Sequence, residues 1–464
     1  MASIDSVVIY LNYSYYKKKG VYDITIIQHK TMRFLLPDGT LTFEANDAVW
    51  GKMAEKMPKR FTSTDQYIKN LGIYVDDTAS PKGHYSYTPT GTILYTLLKT
   101  YIYNLHSSLG CFFLETPTLL NYDHPGVKNQ IDKAENATYH IENINTPTVT
   151  KVGVLYSQLA MISENGRLRK GDKYKLFEMP KVFRLEDQVI PLKNACEFTM
   201  ADMHELFSTL NEAMDASYVI HEKILEFSAL LDVELYVSAK VTQDFFEKEK
   251  DWLVAFARDL NKEISIVDND PYMGRYLNME YHINIPDDKP MELSAFQLDW
   301  DNPDKFNLRM TDGSIPTLIH SNFIGSVERF MYVMLVKAIS KGYYDPGIAP
   351  EQIRFIPKTE GDVEFCNDLT GKYLEHKLRV TIDDRFQHSI GQRIEKATKE
   401  LIPFILVVDK GNVSLEKSVN DIANHMEIID CISQSKARDR NISDLVASYP
   451  LLLSQWPKLF CSKF

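Results

Sequence analysis

The chain has 464 residues, 44% of them hydrophobic, and a formal net charge of −11. Its length predicts two or three domains with packed cores, and the acidic balance argues against sequence-blind nucleic-acid binding, which needs concentrated Lys and Arg. No stretch approaches the roughly 20 apolar residues of a membrane span, and the N-terminus lacks a basic region followed by a small-residue cleavage site, so a cytoplasmic protein without membrane contact is expected.

The cysteines Cys111, Cys196, Cys366, Cys431 and Cys461 are odd in number, scattered, and form no Cys-x-x-Cys pair; they read as free thiols. In chain order, residues 1–75 carry short alternating strands, at 7–10 and at 40–43 after the Pro37-Asp38-Gly39 turn, then a charged helical stretch at 47–59. No chemistry is assigned to them. After Tyr87-Thr-Pro-Thr-Gly91, the residues Ile93, Leu97, Leu98, Tyr101 and Leu105 recur mostly at spacings of three and four, which predicts an amphipathic helix. A strand follows from Gly110 and ends at Pro117. Residues 151–162, KVGVLYSQLAMI, contain Tyr156 and no cysteine.

Residues 181–207, KVFRLEDQVIPLKNACEFTMADMHELF, read as a hairpin: a strand at 181–186, a turn at 189–192 with Pro191, and a second strand at 195–200. A helix is expected from 205 to 227, where Leu206, Leu210, Met214 and Tyr218 stand four apart. An Arg in an apolar strand is costly to bury unless it meets an anion. Arg184 and Glu186 lie two residues apart, so their heads should share one polar face.

A strand is predicted at 233–241 and a strand pair at 276–285 and 291–300. Residues 316–329 then give strand, glycine turn and helix, with Arg329 in the first helical turn, where the dipole disfavours a cation unless an anion is near. After a Pro/Gly linker at 342–350 the pattern alternates strand and helix: strands at 352–357, 379–383 and 403–408, helices at 363–374 and 391–397.

Phe183-Arg184-x-Glu186, followed by Glu197-Phe198-Thr-Met-x-Asp202-x-His204, resembles the second signature motif of class II aminoacyl-tRNA synthetases, in the form used by threonyl-tRNA synthetases of archaeal type. The helix, strand and Pro117 of residues 93–117 resemble the first signature. Pro316-Thr-Leu-Ile-His320 through Gly325-Ser326-Val-Glu-Arg329 resembles the third. Ile382-Asp383-Asp384-Arg385, Ile390-Gly391-x-Arg393 and residues 402–408 resemble the anticodon-binding domain shared by several of these enzymes.

The resemblance implies an α+β chain: a class II antiparallel sheet flanked by helices at 76–342, then a smaller α/β anticodon-binding domain with a mixed sheet at 351–464. It implies a threonyl-type synthetase without an editing domain, which activates an amino acid with ATP and Mg2+, transfers it to tRNA, and leaves editing to a separate protein in trans. A homodimer through residues 93–120 is implied. The alternative is a repurposed paralogue that keeps the fold and acts by binding or regulation.

By the same resemblance Arg184 holds the α-phosphate, Glu186 the ammonium or the adenine, and Arg329 the γ-phosphate, with Lys193, Phe198, Gln297, Gly325 and Ser326 completing the ATP site. Tyr156, Asp202, His204 and His320 line the amino-acid pocket, and Arg385 and Arg393 face tRNA. Three departures stand out. Tyr156 occupies the position of a zinc-binding cysteine, which leaves His204 and His320 as zinc donors, too few for tight binding. Lys193 is the only cation in the hairpin turn, and Asn278 stands where a lysine is expected.

Overall fold

The computed structural model describes residues 31–45, 64–133, 137–142, 145–165, 168–170, 174–268, 274–285, 290–419, 422, 424–434 and 451–452; the strand expected at 7–10 and the helix at 47–59 lie outside them. Its first twelve labelled strands are β1 (Thr31–Leu35), β2 (Leu41–Ala45), β3 (Phe112–Phe113), β4 (Tyr174–Glu178), β5 (Lys181–Phe183), β6 (Glu197–Thr199), β7 (Asp202–Phe207), β8 (Leu235–Val241), β9 (Ile264–Asp268), β10 (Arg275–Ile283), β11 (Met291–Asp299) and β12 (Thr317–Asn322). β5 and β6 form a separate hairpin, and the other ten make one sheet in the order β2-β1-β9-β8-β10-β11-β12-β7-β4-β3. Only the pairs β8–β9 and β3–β4 are parallel. Residues 31–45, which precede the main domain expected at 76–342, add two strands to the main sheet, through β1 against β9.

Strand alternation decides which face of the sheet is core. On β10, Leu277, Met279, Tyr281 and Ile283 enter the main core together with Leu98, Ile224, Phe256 and Met331. Those partners lie on four helices: α1 (Pro89–Ser108), α3 (Leu210–Leu231), α4 (Gln243–Leu260) and α5 (Val327–Lys341). A further helix, α2 (Leu155–Asn165), packs its Leu159 and Ile162 with Leu176 and Leu318 in a smaller cluster. The sequence signals for α1 are met: Thr88 caps it by accepting from the Gly91 amide, and Pro89 takes the first turn, where its missing N–H costs nothing.

The helix expected from Glu205 begins five residues later. Residues 202–207 are β7, hydrogen-bonded between β4 and β12 in the sheet interior. A strand buried on both faces loses its period of two, so the four-residue spacing of α3 ran back into it. The true boundary signal is the capping box of Thr209 with Glu212.

The second unit consists of β13 (Ile353–Pro357), α6 (Val363–Glu375), β14 (Val380–Ile382), α7 (Ile390–Lys399), β15 (Phe404–Asp409) and β16 (Asn412–Lys417). Its sheet runs β14-β13-β15-β16, parallel except for the last pair. Cys366, Leu369 and Tyr373 of α6 cover one face and Ala397 of α7 the other. The chain is thus an α+β protein with an antiparallel-rich main sheet and a smaller mixed sheet. No helix among the described residues is long and apolar enough to cross a membrane.

Two core histidines make the fold sensitive to acid. His106 is stacked between Phe177 and Phe323, with ring centroids at 3.7 and 4.6 Å, and His221 bonds the Tyr281 hydroxyl at 2.7 Å. Burial pushes both imidazoles down to about 4. The unfolded chain binds these protons near pH 6.5 and the folded chain does not, so stability is whole above 6.5 and falls as pH drops toward 4. The loss is roughly 3 kcal/mol per histidine at the acid end. Urea midpoints measured from pH 7.5 to 4 should fall on this course, and His221→Gln should flatten the fall; a flat wild-type profile would refute it.

Candidate active site

The opposite face of the main sheet carries a row of polar side chains. His204 on β7 stands directly opposite His320 on β12, His320 opposite Gln297 on β11, and Gln297 opposite Asn278 on β10. Adjacent strands are about 4.8 Å apart, so these four residues form one line across four strands. Asp202 and Asn322 lie two residues farther along the same face. Asp202 is fully buried, and neither of its oxygens has a hydrogen-bond partner of good geometry among the described residues. Burial pushes its carboxyl up to about 7, against the pull of Arg184, the Val154 amide and Asn322.

The two imidazoles touch, His204 Nε2 lying 2.6 Å from His320 Nδ1. His204 Nδ1 meets Gln158 Oε1 at 2.9 Å, and the Gln158 amide nitrogen donates to Glu178 at 3.2 Å. Glu178 in turn accepts from Lys151 Nζ at 2.9 Å and from the Thr116 amide at 2.8 Å. With its nitrogen committed to Glu178, Gln158 can only accept from His204, so Nδ1 carries the proton and Nε2 a bare lone pair. Burial pushes both rings well down, His320 to about 3 with help from the Arg275 and Arg184 charges. Tyr156, on α2, stacks parallel to Phe306 with centroids 6.5 Å apart; burial pushes its hydroxyl up, and Arg184, Arg275 and Asp202 act on it from the same hollow.

The β5–β6 hairpin stands over this row. β5 ends at Phe183, so Arg184 and Glu186 sit in the connection beyond it and not on the expected strand face. The Arg184 amide still bonds the Cys196 carbonyl at 2.8 Å; its Nε donates to the Val152 carbonyl at 2.8 Å, and its guanidinium stacks 5.4 Å above the Phe198 ring. Glu186 accepts from Asn194 at 3.3 Å; burial pushes its carboxyl up, while Arg184 and Arg329 pull it down.

Arg329 reaches the hairpin from the first turn of α5. Its Nε donates to the Lys193 carbonyl at 3.0 Å, Nη1 to the Glu292 carbonyl at 3.4 Å and Nη2 to Asn194 Oδ1 at 3.5 Å. Neither Arg184 nor Arg329 forms an ion pair within 4 Å among the described residues, and both are half-buried. The Lys193 ammonium, expected to help bind phosphate, stands 5.2 Å over the Tyr332 ring instead. Ser326 caps α5 by accepting from the Arg329 amide at 3.0 Å. Gly325, at φ +74°, is required because the Leu293 carbonyl would lie 2.6 Å from any Cβ there, so one close approach it permits is by backbone.

Arg385 and Arg393, expected to face RNA, are interior. Arg385 holds Asp383 at 2.7 and 2.5 Å, and Arg393 donates to the Pro357 and Asp383 carbonyls at 2.9 and 2.7 Å. The other arginines of residues 352–427, Arg354 and Arg379, are equally buried, at 3% and 5% exposed. All four heads are therefore turned inward. Sequence reading had missed Lys151, Gln158 and Glu178, because polar residues on a helix or beside a strand ordinarily face solvent and only the fold shows them joined.

A family model described as the anticodon binding domain matches residues 352–427. The threonine-tRNA ligase of Staphylothermus marinus is 30% identical over 383 residues, 79% of this chain and 61% of that protein. That of Thermococcus kodakarensis is 25% identical over 405 residues, 82% and 64%. The chain spans about six-tenths of the length of these curated relatives. The solved RNA binding domain of threonyl-tRNA synthetase from Cryptosporidium parvum shares the fold, with a TM-score of 0.70 over 81% of this chain and 99% of that one at 15% identity. Over about four-fifths of its length the chain is similar to archaeal threonine-tRNA ligases, and it joins a fold shared with class II aminoacyl-tRNA synthetases to a region that matches an anticodon-binding domain.

Proposed function

We propose that the chain activates an amino acid with ATP and passes it to tRNA, as a threonyl-type synthetase of the cytoplasm. One observation carries this reading: two guanidiniums, Arg184 and Arg329, enter one hollow with backbone carbonyls, a thioether, an amide and a ring as partners, and no carboxylate within 4 Å among the described residues. Glu186 and Glu292 offset part of the cost of these half-buried cations from farther away, and a triphosphate supplies the close anion. ATP enters as its Mg2+ complex. The amino-acid carboxylate attacks the α-phosphorus, the bond to the bridging oxygen breaks, and pyrophosphate leaves. Arg184 is assigned to the charge that develops at the α-phosphoryl group and Arg329 to the γ-phosphate, with no nucleophilic side chain required. Glu186 is assigned to the ammonium or the adenine, Gln297 to the adenylate, and Asp202, Tyr156, His204 and His320 to the amino-acid side chain.

The deciding experiment is amino acid-dependent ATP–pyrophosphate exchange, scanned over the twenty amino acids. Exchange above background with at least one of them is expected, and none with any would overturn the reading. A second reading, a paralogue that binds without aminoacylating, is favoured by the four inward-facing arginines of residues 352–427. It predicts an ATP-binding chain with no exchange.

A homodimer is proposed as well. β3 is the last strand of the main sheet, and its Phe112 and Phe113 are 62% and 44% exposed, beside Tyr103 and Leu119 at 39% and 48%. An open edge with paired aromatics invites association unless it is covered, and a second copy related by a two-fold axis covers it most simply. Sedimentation should find a dimer at micromolar concentration and a monomer for Phe112→Asp; a monomeric wild type would remove the proposal.

A further inference from the structure

Asp202, His204 and His320 each offer a ligand atom within 4.8 Å of the others, a grouping of three or more His, Cys, Asp or Glu that recurs nowhere else among the described residues. We propose that Asp202 replaces the missing thiolate, so that Asp202, His204 and His320 bind one divalent transition-metal ion through one oxygen and two nitrogens. A donor count confined to thiolate and imidazole overlooked this carboxylate. The inference names how the proposed amino-acid pocket is built, but the metal can be measured without any aminoacylation.

Three features of the site fit such an ion. Both Asp202 oxygens are buried with no well-formed hydrogen bond among the described residues, a state that leaves a carboxylate poorly solvated unless a cation meets it. His204 has its Nδ1 proton fixed on Gln158, and Gln158 is fixed on Glu178. A metal-binding imidazole characteristically donates its other N–H to such an outer partner, which aims the free nitrogen inward. That free Nε2 points at His320 Nδ1, 2.6 Å away. Metal–nitrogen bonds of about 2.0–2.1 Å in a tetrahedral site place two ligand nitrogens about 3.3 Å apart, so the rings need to part by less than about 1 Å. Two imidazoles and a carboxylate also leave coordination positions open, and without sulfur the set favours zinc over harder ions less than a thiolate site does.

The test uses the full chain, stripped by chelator and titrated separately with Zn2+ and Co2+. One ion per chain is expected. The cobalt form should show visible ligand-field bands without the near-ultraviolet thiolate-to-metal band. Asp202→Asn should weaken zinc binding by more than about 100-fold, and Gln158→Leu by about 10- to 100-fold, the usual range for an outer partner. Binding well below one ion per wild-type chain, a thiolate band, or unchanged affinity in Asp202→Asn would each overturn the proposal. The wild-type stoichiometry and cobalt spectrum decide it even if a variant fails to fold. A chain that binds metal without pyrophosphate exchange would leave this inference standing and sink the proposed activity, and the reverse result would do the opposite.

Discussion

Replacing Arg329 by Ala should lower ATP–pyrophosphate exchange by about 100- to 1000-fold, the usual cost of removing one donor that meets developing charge. Arg184→Ala should cost as much. The two variants differ in what else they disturb. Arg329 also ties the hairpin connection to α5 through the Lys193 carbonyl and Asn194, so Arg329→Ala should increase proteolysis at 187–194, whereas Arg184→Ala should not. Lysine at either site should recover only part of the rate, because a point charge cannot reproduce the planar fork. Near-normal exchange in either alanine variant would put the triphosphate elsewhere.

Lys151→Met should cost about 3–5 kcal/mol of stability in urea unfolding, because it strands the Glu178 carboxylate without its charge partner. The side chains of Lys151 and Glu178 are 0% and 2% exposed, and the ammonium also donates to the Thr116 carbonyl and hydroxyl at 3.0 and 2.6 Å. The double variant Lys151→Met with Glu178→Met should be less destabilised than Lys151→Met alone, since apolar groups of similar volume avoid an unpaired buried charge. A single-variant loss under about 1 kcal/mol would mean that solvent reaches the pair. The double variant also removes the carboxylate that holds the Gln158 amide, so the proposed zinc affinity should fall in it.

The fold was legible where local signals and tertiary structure agree. Thr88 and Pro89 announce α1, and the order of hairpin, Gly325 turn and α5 follows from the spacing of Arg184, Gly325 and Arg329. It was illegible at β7, where burial on both faces erased the alternation that would have separated Glu205 from the helix. The expected ATP-site residues behave unevenly for a similar reason. A sequence records that Lys193, Phe198 and Ser326 are near the motif, but whether a head points to a ligand, a ring or a helix end is fixed by neighbours far away in the chain, such as Tyr332. The Lys151-Glu178-Gln158-His204 chain joins two strands, a helix and a loop, and no local pattern encodes it.

The inward arginines of the smaller unit bear on ionic strength. Counterions condensed on an RNA are released only by cations that reach its phosphates, and each one released steepens the fall of affinity with salt. Arg354, Arg379, Arg385 and Arg393 are held within the protein by Glu351, Glu400, Asp383 and backbone carbonyls. Any phosphate contact made by this unit therefore falls to exposed lysines such as Lys372, Lys377 and Lys410, and neutralising one that reaches a phosphate should lower the slope of log affinity on log salt by about 1.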